Sequence, residues 1–176
     1  LMPVEQWPAS ETGIDFIENL TDAFRNSLGN EYYVDSFIIT RDKNQFFCLF
    51  FFTSHIYGFD RMLDAKWKID EDEGRGWQYQ EENTLFSHVE KKANTFKFEK
   101  KLTEFLKSER TNSELYKFTL HNGHLPTHAN EILLKLQTDG RLDAIKADGT
   151  KARKSSFYIN YQDYKNEPNK VKRKIK

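Results

Sequence analysis

The sequence predicts an α+β protein, or one with a partial α/β segment, and two observations carry that prediction. Apolar residues recur at helical spacing in several stretches, whereas other stretches are β-rich or almost wholly apolar, as strands are. Fifteen Phe, eight Tyr and three Trp in 176 residues supply apolar volume for a core although 31% of the residues are charged. A largely disordered chain is therefore excluded, and the length allows one large domain or two small ones.

The first eighty residues predict a mixed helix and strand segment. Apolar residues from Ile14 to Leu28 recur every three or four positions, which predicts a helix over about 11–28. The stretch at 33–40 is β-rich, and the stretch at 46–53 is apolar almost without interruption. Because that apolarity does not alternate, we predict a strand buried on both faces in the middle of a sheet. A second helix, over 57–69, completes the segment 1–80.

Residues 70–92 lose this periodicity. The acidic run from Asp70 to Glu73 and the glycines after it predict a solvated linker, rather than a divalent-ion loop, because the alternating ligands of a calcium loop are missing. We place the boundary between two domains in this stretch, with a linker over 81–94.

The second half has the order of a winged helix-turn-helix. Helical spacing predicts a helix over 95–108, a capping box at Thr111–Glu114 opens a second, and Pro126 begins a third that Gly140 ends. Two strands, over about 141–147 and 155–161, follow with a turn that starts at Asp148. We assign 95–162 to a winged helix-turn-helix and 163–176 to a basic tail, a mobile arm without periodicity.

Charge favours a polyanionic partner for this half. The net charge is zero, but residues 141–176 carry eleven Lys/Arg against four Asp/Glu. The third helix takes the recognition position, where Asn suits adenine edges and Lys suits guanine or phosphate. The predicted nucleic-acid-binding residues, on this helix, the hairpin and the tail, are Thr127, His128, Asn130, Lys135, Lys146, Lys151, Arg153, Lys154, Lys172 and Arg173.

The same surface has a second interpretation, which the sequence leaves open. The charges can be ordinary solvated side chains on a winged helix that contacts protein instead of nucleic acid. DNA, most simply duplex DNA bound through phosphates at the wing and the tail, is the predicted partner. A protein partner is the alternative.

No catalytic or metal site is predicted. Glycine-rich phosphate loops and a nucleophile elbow are missing, so activity as an enzyme stays undetermined. His121, His124 and His128 have helical spacing, but Gly123 and Pro126 interrupt the helix, so the rings are not expected to share a face. The single Cys48, the lack of a signal peptide and the lack of an apolar run of roughly 20 residues predict a cytoplasmic protein without a membrane span.

Residues 46–70, FFCLFFFTSHIYGFDRMLDAKWKID, resemble the C-terminal portion of the three-Cys-motif partner proteins. In that family an apolar strand leads through a short Ser/Thr-rich turn and a glycine into a helix ending M-x-x-A-x-W-K-x-D. Lys66 stands where methionine is usual. Downstream, the run from Gly123 to Asp139-Gly140 is similar to the winged helix that ends those proteins. The positions that fit the first pattern are Ser54, His55, Gly58, Met62, Ala65, Trp67, Lys68 and Asp70.

The resemblance implies a methyltransferase-like α/β portion ahead of the winged helix. Residues 1–70 would correspond to the last helix and final strand pair of that portion. The turn that binds S-adenosylmethionine in the family is missing here, so the cofactor is implied only for a longer parent protein. The chain is then a C-terminal part of such a protein or a shortened member. The family is associated with phage and mobile-element neighbourhoods and with a partner protein that bears three cysteines, so the resemblance implies a phage- or defence-related system.

Overall fold

The computed structural model describes residues 3–10, 12–29, 31–42, 45–78, 92–153 and 159–176. The chain is an α+β protein that divides into two compact units, unit 1 over 1–93 and unit 2 over 94–176. The helices are α1 (Gly13–Leu28), α2 (Ile56–Ile69), α3 (Phe96–Phe105), α4 (Asn112–His121), α5 (Pro126–Thr138) and α6 (Tyr161–Asn166), after a 3-10 turn at Val4–Gln6. The strands are β1 (Tyr33–Asp42), β2 (Gln45–Thr53), β3 (Gly76–Gln78), β4 (Arg110–Thr111), β5 (Leu142–Lys146) and β6 (Val171–Ile175).

Unit 1 is a three-stranded sheet with a helix on each face. The strand order is β2-β1-β3, with β1 antiparallel to β2 and parallel to β3. Val34 of β1 packs with Leu20 and Phe24 of α1. The neighbouring Tyr33 points to the opposite face, where its ring lies 5.2 Å from the ring of Phe59 in α2. The helices predicted over 11–28 and 57–69 are thereby confirmed.

The prediction for the apolar strand 46–53 is wrong in one respect. β2 lies at the edge of the sheet, and β1 is the middle strand. Phe47 is 52% exposed and Leu49 is 60% exposed, so this strand is not buried on both faces. An uninterrupted apolar run indicates that both faces of a strand are apolar, but the run carries no information about which strands pair with it.

The acidic stretch after α2 is an ordered turn as far as β3. The carboxylate of Asp70 accepts hydrogen bonds from the backbone amides of Glu73, Arg75 and Gly76. Burial alone would raise the pKa of Asp70, but these amides lower it below its usual value. At Gly76 a Cβ would collide with the backbone oxygen of Ile38, so only glycine allows β3 to approach β1. Most of the predicted linker 81–94 lies outside the described residues.

Unit 2 has a core between its three main helices. The predicted helices over 95–108 and 126–139 correspond to α3 and α5. The capping box is also confirmed, because Thr111 Oγ1 accepts from the amide of Glu114 at 3.2 Å and Glu114 Oε2 accepts from the amide of Thr111 at 2.9 Å. The buried core residues are Phe98, Leu102, Leu106, Leu115, Ala129, Ile132, Leu133, Leu136, Leu142 and Ile159.

The sheet of unit 2 corrects two predictions. Its strand order is β4-β6-β5, both pairings are antiparallel, and β6 comes from the stretch predicted to be a mobile basic tail. The strand predicted over 155–161 is not formed where the structure describes it. Ile159 and Asn160 lie outside any strand and Tyr161 begins α6, whereas 154–158 lie outside the described residues. The element order helix, strand, helix, helix, strand, wing, strand is that of a winged helix, with the short helix α6 added between the wing and β6.

None of the helices in the described ranges is long and apolar enough to cross a bilayer.

Candidate nucleic-acid interface

Helix α5 presents a polar stripe to solvent. Its other side is fixed in the core by Ala129, Ile132, Leu133 and Leu136, and Pro126 occupies its first turn. Helical spacing then leaves an exposed row on the opposite side, which we call the α5 stripe. It consists of Thr127, Glu131, Lys135 and Thr138.

The α5 stripe is electrically balanced. The amine of Lys135 lies 3.5 Å from Glu99 Oε1 on α3, and both side chains are at least one-third exposed. Glu131 adds a second carboxylate on the same stripe. The helix in the recognition position is therefore not strongly attractive to phosphates by itself.

Asn130, which the sequence predicts as a base-contacting residue, is hydrogen-bonded within the fold. Its Nδ2 donates to the carbonyl oxygen of Ile159 at 3.0 Å, and its Oδ1 accepts from the amide of Ile159 at 2.8 Å. This reciprocal pair holds the fully buried Ile159 against α5. Asn130 therefore holds Ile159 in place, and the structure does not direct its amide outward to a base.

His128 is also turned toward the fold. Its Nδ1 accepts from the backbone amide of Leu125 at 3.3 Å, and the neighbouring His124 ring stacks on Phe98 with ring centroids 4.2 Å apart. Burial lowers the pKa of His128 to about 4, so the ring is neutral at pH 7. Within the described residues no group of three or more His, Cys, Asp or Glu is placed to hold a metal ion.

This lowered pKa predicts a stability that depends on pH. The pKa of His128 is about 4 in the folded chain and 6.5 as the ordinary value in the unfolded chain. Between these values His128 is protonated in the unfolded chain and neutral in the folded chain, so the free energy of unfolding falls as the pH falls. We expect His128 to contribute a loss of about 1–2 kcal/mol, roughly half of what the full shift implies, because solvent screens the partly exposed ring. Urea unfolding at pH 7 and pH 4.5 should show a smaller loss in His128→Gln. An equal loss in both proteins would contradict the assignment.

The predicted turn at Asp148 forms the tip of the wing. The amide of Lys146 donates to the carbonyl of Thr150 at 2.8 Å, and Asp148 Oδ1 accepts from the amide of Thr150 at 2.8 Å. Gly149 has a φ of 81°, a left-handed conformation that other residues rarely adopt. After the turn, Lys151 forms an antiparallel bridge with Ile145, which returns the chain alongside β5.

Three predicted phosphate contacts surround this turn. Lys151 and Arg153 are exposed and Lys146 is half-buried, whereas Lys154 lies outside the described residues. Other exposed lysines of unit 2 form ion pairs, such as Lys107 with Glu104 and Lys172 with Glu109. No such ion pair joins Lys146, Lys151 or Arg153 to a carboxylate of the described residues, although the charge of Lys146 helps to lower the pKa of the nearby Asp148. We call these three residues the wing cations.

Strand β6 separates the two basic residues predicted in the tail. Lys172 is exposed, and its amine lies 3.0 Å from Glu109 Oε1. Arg173 points to the opposite face, is 4% exposed, and donates from Nη1 to Asn112 Oδ1 at 2.6 Å. Burial lowers the pKa of Arg173 to about 10, so it stays charged at pH 7 but faces the interior. The prediction of Arg173 as a surface phosphate contact is wrong.

Lys174 belongs to the tail that the sequence predicts to be basic, but it was not among the predicted nucleic-acid-binding residues. It lies on the exposed side of β6 together with Lys172, because alternate residues of a strand share a face. The alternation of Val171, Lys172, Arg173, Lys174 and Ile175 was the signal that could have identified it.

The two units have opposite charge. Unit 2 carries eighteen Lys/Arg against ten Asp/Glu, a net charge of +8, and unit 1 carries nine against seventeen, a net charge of −8. Most of this excess lies in residues 141–176, which carry +7, whereas residues 94–140 carry seven Lys/Arg against six Asp/Glu.

A family model described as a GMT-like wHTH domain matches residues 68–149. The match covers α3, α4, α5 and β5 and ends within the turn at the tip of the wing, and it supports a winged helix-turn-helix module. No curated protein and no solved structure matches the chain significantly.

Proposed function

We propose that unit 2 binds duplex DNA through the phosphates, with the wing cations as its principal contacts. The observation that supports this most is the position of Lys146, Lys151 and Arg153, three cations that surround the wing turn against the single carboxylate of Asp148 in that turn. A wing placed beside a recognition helix is suited to following the DNA backbone. The net charge of +8 on the unit adds long-range attraction.

The proposed binding has little sequence preference. Asn130 is occupied by Ile159, and His128 is neutral and turned inward. Of the predicted residues on α5, Thr127 and Lys135 remain exposed, and Lys135 has Glu99 nearby. Contacts with phosphates then provide most of the affinity, and these depend strongly on salt.

Fluorescence anisotropy with a random-sequence duplex across a salt series tests this proposal. Changing all three wing cations to glutamine should weaken binding at each salt concentration. It should also reduce the slope of log K against log salt by up to about 0.9 for each lost phosphate contact. The matched control changes Lys101, Lys107 and Lys117 to glutamine, which removes the same charge from α3, the turn after α3, and α4. An unchanged slope in the wing variant, or an equal loss in the control, would count against the wing as the contact surface.

The balanced α5 stripe favours a second candidate, a docking module for a protein. Glu131 and the Lys135–Glu99 pair resemble a surface for polar protein contacts more than a surface for phosphates. The resemblance in sequence identifies the three-cysteine protein of a phage or defence system as the partner to try. Co-purification that resists nuclease treatment, together with no duplex binding at low salt, would favour docking over DNA binding.

A third role rests on unit 1 as the remnant of a methyltransferase-like enzyme. A sheet with a helix on each face agrees with the end of such a domain, but the cofactor-binding turn of the family has no counterpart in the sequence. We therefore assign S-adenosylmethionine chemistry only to a longer parent protein. Calorimetry of this chain with S-adenosylmethionine is expected to show no binding heat.

A further inference from the structure

The edge strand β2 presents large apolar side chains to solvent. Phe46, Phe47, Leu49, Phe51 and Phe52 are each at least 40% exposed, and all lie on one nine-residue strand. The strand pairs with β1 along one side only within the described part of unit 1. Among the described residues nothing pairs with its other side, and such a row of backbone donors and acceptors is a template for another strand.

β2 has none of the features that normally protect an edge strand from pairing. Its sequence, QFFCLFFFT, contains no charged residue and no proline, and only Gln45 and Thr53 at its ends are strongly polar. Natural edge strands usually carry lysine, proline or a bulge that discourages association. The irregularity between β1 and β2 lies at Thr40 and Asp42, near the turn, so the interior of β2 is regular.

The apolar run is self-complementary about its centre. If two copies of β2 pair antiparallel with a two-fold axis at Leu49, each residue i lies opposite residue 98 − i of the other copy. Phe46 then faces Phe52, Phe47 faces Phe51, and Cys48 faces Phe50, so every pair is apolar. Cross-strand partners share a face of the sheet, and large apolar pairs of this kind stabilise antiparallel strands. A two-fold axis requires such a self-complementary patch.

We propose that the chain forms a homodimer by antiparallel pairing of β2 with β2 of a second copy, about a two-fold axis at Leu49. The two three-stranded sheets become one six-stranded sheet with β2 and its copy at the centre. This proposal concerns unit 1 and goes beyond nucleic-acid binding by unit 2. It also accounts for an apolar pattern that is typical of a central strand.

The exposed area agrees with what a dimer needs. Large apolar side chains expose roughly 150–250 Å² each when free, so covering the exposed fractions of these five would remove about 350–600 Å² from each copy. Complete covering would bury at most about 700–1,200 Å² in the pair of copies through these side chains, a range that includes the roughly 1,000 Å² of a specific interface. Because the strand is uncharged, no like charges oppose each other across the axis.

Sedimentation velocity of the full chain across a concentration series tests the proposal. We expect wild type to be a dimer at tens of micromolar. Leu49→Lys places two ammonium groups opposite each other at the axis and should shift the protein to monomer, with at least a tenfold weaker association. The matched control is Ile69→Lys, at a 53% exposed apolar position at the end of α2, which should stay dimeric. Circular dichroism confirms that both variants fold.

An engineered disulfide between the two copies tests the register of the β2 pairing. In a Cys48→Ser background, Leu49→Cys should form an intermolecular crosslink on mild oxidation, since residues opposite each other in an antiparallel pair lie within disulfide range. Ile69→Cys in the same background should not crosslink comparably. A monomeric wild type, a dimer that Leu49→Lys leaves intact, or equal crosslinking at both positions would each overturn the proposal.

Discussion

Replacing Val171 by aspartate is expected to unfold unit 2, with a loss of at least about 4 kcal/mol in its free energy of unfolding. Val171 is fully buried in β6, the middle strand of the β4-β6-β5 sheet, where it packs with Ala144 and Ala152. An isolated carboxylate there is removed from water without a partner, which is among the most destabilising changes a single substitution makes. A mobile tail, as the sequence first predicted, would tolerate it.

The matched control is Lys172→Ser, one residue further along the same strand. Lys172 is exposed, so its loss should change the free energy of unfolding by no more than about 1 kcal/mol. The two units can be followed separately, because all three tryptophans (Trp7, Trp67 and Trp77) lie in unit 1. Val171→Asp should abolish part of the helical circular dichroism while the tryptophan transition in urea is retained. If both substitutions were harmless, β6 would not be a strand of the sheet.

A second large effect is expected from Asp35→Ala in unit 1. Asp35 is 4% exposed, and its carboxylate bridges Lys66 Nζ at 2.5 Å and Arg25 Nη2 at 3.0 Å. Lys66 is itself 6% exposed, so removing Asp35 leaves a buried ammonium group without its carboxylate. Breaking a buried pair in this way costs about 3–5 kcal/mol. Urea unfolding followed by tryptophan fluorescence measures the loss directly.

The reciprocal substitution Lys66→Met should cost much less. It leaves Asp35 paired with Arg25, and it introduces the residue that is usual at this position in the family that the sequence resembles. The double variant Asp35→Leu/Lys66→Met should be more stable than Asp35→Ala, because neither buried charge remains on these two residues. If Asp35→Ala and Lys66→Met lowered the free energy of unfolding equally, the inference that Lys66 depends on Asp35 more than Asp35 depends on Lys66 would be wrong.

The helices were predictable because their signals are local. Apolar spacing located α1, α2, α3 and α5, and a four-residue pattern from Thr111 to Glu114 located the start of α4. The turn at Asp148 and Gly149 was predictable for the same reason, since the residues that form it are adjacent in sequence.

Strand pairing was harder to predict because partners lie far apart in sequence. β6 pairs with β4 across about sixty residues, and its alternating pattern spans only five positions of which three are basic. The same limit applies to β2, where apolarity was visible in the sequence but its place at the edge was not.

The residues of the candidate site also fall into those placed by local patterns and those placed by distant partners. The exposure of Lys151, Arg153 and Lys135 followed from a turn and from helical spacing. The inward roles of Asn130 and Arg173 depend on Ile159 and Asn112, which are distant in sequence, so no pattern around either residue shows that its polar group is already bonded.

The central position of β6 also affects the order in which the protein can fold during synthesis. β4 and β5 do not pair with each other, so the sheet of unit 2 has no middle until Val171–Ile175 has left the ribosome. Unit 1 and the three main helices of unit 2 are complete long before that point, and domains made first generally fold first. During synthesis the backbone edges of β4 and β5 that face β6 therefore stay unpaired until β6 is inserted between them.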